Sequence, residues 1–186
     1  MVKKMRLDRN IILTAATEIA DSHGLESVTL SALAEKLGIR SPSLYNHIEG
    51  LPGLRIDLAV FGLQQLRHLM TEAVIGKSGN EAARSLAISY VKFARLHPGL
   101  YEAVYRPQPN TNSALEEAGN ALVEMIIRVL EPFQLGEKQT IHSVRGLRSL
   151  LHGFASLEQN DGFRMGIDRD ESLHFMIETF LQGLRQ

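Results

Sequence analysis

The stretch from Thr29 to Ile48, TLSALAEKLGIRSPSLYNHI, limits what this chain can fold into more than any other. Thr29 offers a side-chain oxygen to the open amides of a first helical turn and reads as an N-cap. Leu30, Leu33, Ala34 and Leu37 then recur at three- and four-residue spacing, which buries one helix face. Gly38 ends that helix, because glycine takes the left-handed C′ conformation without steric cost, and Ile39 is expected to pin the turn to the core. Ser41 reads as the cap of a second, short helix, with Pro42 at its first position, where a missing amide does no harm. That helix would expose Ser43, Tyr45, Asn46 and His47, with Arg40 just before it, while Leu44 and Ile48 face inward.

The rest of the chain is patterned for helices. From Asp8 to His23, Ile11, Ile12, Ala15, Ala16, Ile19 and Ala20 form one apolar stripe at helical spacing. Gly24 closes this helix, Leu25 staples the exit, and Val28 reads as a core plug. A long helix is predicted from Leu51 to about Ile75, then a loop, Gly76-Lys77-Ser78-Gly79-Asn80. Further helices are expected over Glu81–Leu96, Leu100–Tyr105, Asn112 or Ser113 to Leu130, Gly136–Leu157, and Asp168 or Asp170 to Leu184. No segment alternates at period two with β-branched residues, so the fold class is all-α.

A length of 186 residues suits one large or two small domains, and an apolar fraction of 44% supports a substantial core. Cysteine is absent, which excludes disulfides and thiolate zinc sites and fits a reducing, cytoplasmic setting. Neither a signal peptide nor a membrane span is patterned here. The net charge of −1 hides an uneven distribution: Lys3, Lys4, Arg6 and Arg9 cluster against Asp8 alone. Lys4 and Arg6 are expected to reach phosphates or a minor groove as a basic arm, with an untidy solvated terminus as the plainer reading. An enzyme would have to use His142, His152 and Glu158. The two histidines lie ten residues apart, and metal-protease spacing, a phosphate-binding glycine loop and a nucleophile elbow are all missing. The chain is therefore expected to be neither an enzyme nor a carrier of cofactor or metal.

A short polar helix braced by a bihelical unit is the geometry that sets side chains into a DNA major groove. The stretch from Thr29 to Ile48, including the run Leu44-Tyr45-Asn46-His47-Ile48, resembles the helix-turn-helix of the TetR family of transcriptional regulators. It also sits where that family places it, behind one amphipathic helix and ahead of a long helical remainder. The resemblance implies that Thr29 and Ser31 approach phosphates and that Arg40, Ser41, Ser43 and Asn46 face base edges or nearby phosphates. Tyr45 and His47 would reach the backbone. Arg40 and Asn46 are the expected sequence readers, since arginine can grip guanine with two bonds and asparagine adenine. For Tyr45 the competing reading is a half-buried aromatic that braces the first helix. After Ile48 the chain departs from the family, whose pattern has a lysine that clamps a phosphate. Here Leu51 stands at that place and Glu49 adds a negative charge, which bears on affinity more than on fold. Arg55, one turn further, is the expected substitute.

The division expected is a DNA-binding domain over residues 1–55 and a helical effector-binding and dimerisation domain over 56–186. Leu151-His152-Gly153-Phe154, with Leu157-Glu158 and Gly162, resembles a C-terminal subgroup of the family marked by Trp-His-Gly, although tryptophan is absent. Candidates for a mainly apolar effector site are Tyr90, Phe93, Tyr101, Tyr105, Met125, Arg145, Arg148 and His152. The plainer reading makes the aromatics core, His152 a satisfied core or interface histidine, and the arginines surface ion pairs. The two C-terminal helices are expected to pair with their copies in a homodimer. The expected function is a ligand-responsive repressor released from a palindromic operator by a small effector; the rival is a helical interaction module that does not bind DNA.

Overall fold

The computed structural model describes residues 7–106 and 112–184. Lys4 and Arg6 lie outside the described residues. Among those described, every regular element is helical, as the patterning predicts. The α-helices are α1 (Arg9–His23), α2 (Leu30–Leu37), α3 (Gly50–Val74), α4 (Gly79–Leu96), α5 (Pro98–Tyr105), α6 (Ser113–Leu130), α7 (Glu137–Gln159) and α8 (Arg169–Gly183). Short 3-10 turns occupy Leu25–Ser27, Ser41–Asn46 and Glu131–Phe133.

Side-chain caps set several of these boundaries. Asp8 accepts from the Ile11 amide and Asn112 from that of Leu115, while Asp168 accepts from Asp170 and Glu171. Each satisfies amides that have no partner inside the helix.

The chain forms two compact units, one of Met1–Leu63 with His97–Glu116, the other of Gln64–Leu96 with Glu117–Gln186. This differs from a single cut near residue 55. The first unit is closed by α5, from far along the chain, and the first part of α3 belongs to it as well. Its core is Ile12, Ala16, Leu33, Leu44, Leu54, Leu58 and Leu100, all nearly or fully inaccessible. Two glycines let α5 pack tightly. A Cβ on Gly99 would lie 2.2 Å from the Ala20 carbonyl, and one on Gly62 would lie 2.6 Å from Val104.

The second unit is built from the end of α3 with α4, α7, α8 and most of α6. Leu66, Met70, Leu86, Phe93, Leu147, Phe154, Ile177 and Leu181 fill its core. Arg84 on α4 pairs with Glu178 on α8. Arg95 pairs with both Glu158 (2.7 Å) and Asp170 (2.6 Å), joining the end of α7 to the start of α8.

Candidate nucleic-acid interface

The reading segment is positioned from α2 onward. Thr29 caps α2, its hydroxyl accepting from the Ala32 amide at 3.1 Å. Gly38 adopts φ +64°, and two reversed bonds finish the helix: Ile39 N–H to Ala34 O and Gly38 N–H to Glu35 O, both 3.0 Å. This is the Schellman arrangement, which only a residue tolerant of the left-handed region supports cheaply. Ile39 is half-buried, so it seats the turn less deeply than its apolar character suggests.

The next segment is a 3-10 helix over Ser41–Asn46, not an α-helix, and its cap position is Arg40. Ser41 therefore makes no capping bond; the Arg40 carbonyl accepts from the Ser43 amide at 2.9 Å instead. The tighter winding suits a run this short, in which Pro42 supplies no amide. Leu44 is fully buried and Ile48 nearly so, and both anchor the segment. Arg40, Tyr45 and Asn46 face solvent, while Ser41, Ser43 and His47 are half-buried. Tyr45 is 61% exposed, so it does not brace α1.

Ion pairs fix this platform. Lys36 on α2 meets Glu18 on α1 at 2.8 Å, and Arg9 on α1 holds both carboxylate oxygens of Asp57 on α3. Arg55 is engaged: it donates to Glu26 at 3.1 Å, and Arg106 pairs with the same carboxylate. The hydrogen bond from Arg106, then its charge, then Arg55 hold the Glu26 carboxyl below its ordinary range. Glu49 is exposed and Leu51 half-buried beside it. Thr29 and Ser31, at the amino end of α2, are both exposed.

Sequence reasoning did not single out Asp21. One of its oxygens accepts from the amides of Gly99 and Leu100, both at 3.0 Å, and the other lies 2.8 Å from His97 Nδ1. A carboxylate at a helix amino end meets open amides and the positive end of the dipole. Its partners are 76 to 79 residues away, so no local pattern announces it.

The eight effector candidates are not gathered in one place. Tyr90 and Phe93 are buried in α4 of the second unit. Tyr101 and Tyr105 belong to the first unit, with ring centroids 4.8 Å apart. Arg145 and Arg148 are exposed on α7, and His152 is half-buried there. Burial, then the charge of Arg148, lowers the His152 pKa. Met125 alone among the eight lines a cleft of about 450 Å³ in the second unit, together with Arg67, Lys77, Glu124 and Arg128. Among the described residues, no group of three or more His, Cys, Asp or Glu side chains could hold a metal, and no helix is long and apolar enough to cross a membrane.

An exposed polar turn anchored by buried residues behind α1 and α2 is the geometry of a helix-turn-helix. Residues 12–47 match the family described as bacterial regulatory proteins, tetR family, and residues 83–180 match the tetracyclin repressor-like C-terminal domain. A Bacillus subtilis (strain 168) protein, the uncharacterized HTH-type transcriptional regulator YobS, is 43% identical over 99% of this chain and 96% of its own. A Rhodococcus sp. RHA1 protein of unknown function shares the fold at a TM-score of 0.86 and 24% identity, over 99% of this chain and all of that one. A TetR variant from Acinetobacter baumannii AYE, solved in complex with minocycline, has a TM-score of 0.72 at 22% identity, over 97% and 99% of the two chains. This chain belongs to the TetR family of transcriptional regulators, which are not enzymes.

Proposed function

We propose that this regulator binds an approximately palindromic operator as a cytoplasmic homodimer, represses by obstruction, and leaves when a small effector occupies its helical body. The observation that carries the DNA contact is the solvent-facing set Arg40, Tyr45 and Asn46 on a segment pinned by Leu44 and Ile48. Arg40 and Asn46 read bases. Thr29, Ser31, Ser41, Ser43, Tyr45 and His47 hold phosphates and set the register. Arg55 joins them only when Glu26 releases it. The first unit supplies the reading surface, and the second the effector site and the pairing helices. Exposed Ile141, Leu157 and Phe175 on α7 and α8 supply apolar surface for that pairing. A two-fold dimer presents two readers to two half-sites about one helical turn of DNA apart, or a multiple of it. Capture of minocycline by the Acinetobacter relative supports a small-molecule signal.

Effector and operator then weaken each other by one common factor, typically worth about 1–3 kcal/mol. Selection of bound sequences from a random duplex pool tests the reading. A two-fold symmetric motif whose affinity falls steeply with salt is expected. Recovery of no motif, with no salt-dependent retention, would support the interaction-module reading instead.

A further inference from the structure

The cleft in the second unit has two kinds of wall. Its volume of about 450 Å³ falls within the range of small-molecule sites, about 300–1,000 Å³. Val74, Met125 and Val129 give it an apolar side, while Arg67, Lys77 and Arg128 bring three positive charges from α3, the following loop and α6. One carboxylate, Glu124, shares the lining. Among the described residues none of the three cations has a carboxylate within ion-pair distance, although Arg84 and Arg95 of the same unit are both paired.

Lys77 is also held in place. Its ammonium donates to the Ala73 carbonyl at 3.0 Å and to the Ser85 hydroxyl at 2.9 Å. An ammonium has three donors, so one N–H is left for a ligand. Guanidinium groups match a planar oxyanion with two parallel bonds. Glu124 offsets one of the three positive charges, so the lining stays net positive and suits an anionic head.

We propose that this cleft binds a small amphipathic oxyanion, a carboxylate or a phosphate, its head held by Arg67, Lys77 and Arg128 and its apolar part lying on Val74, Met125 and Val129. The ligand acts as the effector, and only this last step rests on the regulatory reading given above.

Calorimetric titration of the full chain with decanoate, decanol and decyl phosphate, each below its micellar concentration, tests the chemistry on the unaltered protein. Decanoate and decyl phosphate are each expected to bind about tenfold or more tighter than decanol, because a charge-assisted bond is roughly twice as strong as a neutral one; the tighter of the two identifies the head group. Arg67→Gln and Arg128→Gln are each expected to weaken decanoate by about tenfold. Binding of decanol as tight as that of both anions, or absence of binding by either anion, would overturn the proposal. A parallel operator-binding titration separates the two readings. An anion that binds with this selectivity but leaves operator affinity unchanged supports the site and refutes effector-driven release. Release by another compound, without binding of either anion, does the reverse.

Discussion

Replacing Gly99 by alanine puts the packing of α5 on α1 to a direct test. A Cβ at residue 99 would stand 2.2 Å from the carbonyl carbon and oxygen of Ala20, and ordinary contact begins near 3.4 Å. The obstacle is backbone, so no rotamer change relieves it. The helix must retreat by about 1 Å, taken from the difference between those distances. Asp21 accepts from Gly99 and Leu100 at 3.0 Å, and bonds of that length fail when stretched so far. Overpacking of this kind costs about 1–3 kcal/mol, and loss of a bond to a charged group adds about 1.5–3 kcal/mol before water compensates. A destabilisation of about 3 kcal/mol is expected. At about 2–4 °C per kcal/mol for a chain of this size, Tm should fall by roughly 6–12 °C. Gly119→Ala is the control. Nothing lies within 4 Å of its would-be Cβ in α6, and alanine is about 1 kcal/mol the better helix former. Its Tm should rise by roughly 2–4 °C. Far-UV circular dichroism at one fixed protein concentration reads both variants. A Gly99→Ala protein that melts within a degree of the parent, or two variants that move together, would refute the close approach of the helices.

Arg40→Ala and Asn46→Ala should each cost about 1–3 kcal/mol of operator binding and relax base preference at one position per half-site, read by competition gel shift with single-base operator variants. Asp21→Ala should lower stability by about 2 kcal/mol, measured by urea unfolding, because the amides of Gly99 and Leu100 lose a charged acceptor. His152 has a pKa held below its ordinary 6.5, so the unfolded chain binds the extra proton. Its contribution is complete above the unfolded value and is lost as pH falls from there through the lower folded value. His152→Gln should therefore flatten the decline in the urea midpoint below about pH 6.5; an unchanged decline would contradict the burial assigned to this ring.

What the sequence discloses is local. The cap at Thr29, the stop at Gly38 and the inward faces of α1 and α2 all depend on residues within one or two turns. The outward facing of Arg40, Tyr45 and Asn46 follows from the burial of Leu44 and Ile48. Long-range features left no such trace. Gly99 reads as part of a helix-breaking His-Pro-Gly run, and only the fold reveals that Ala20 requires it to be glycine. Arg55 reads as a free cation for a phosphate until Glu26 is seen beside it. Of the aromatic residues expected at an effector site, Tyr90, Phe93 and Tyr101 fell where apolar bulk belongs, in cores. The charged lining of the cleft comes from positions that look like ordinary solvated residues along each helix.

The seat of α5 on α1 bears on how such regulators can be recombined. Severing the chain after Ile56 would take away Gly62, Gly99, Leu100 and Val104 together and leave the Ala20 backbone bare. A headpiece transplanted onto a foreign body must therefore bring Pro98–Tyr105 with it, or recruit a donor segment with glycine at the crossing. Hybrids joined at the obvious N-terminal seam should be poorly soluble, while those that preserve both stitches should keep their specificity for DNA.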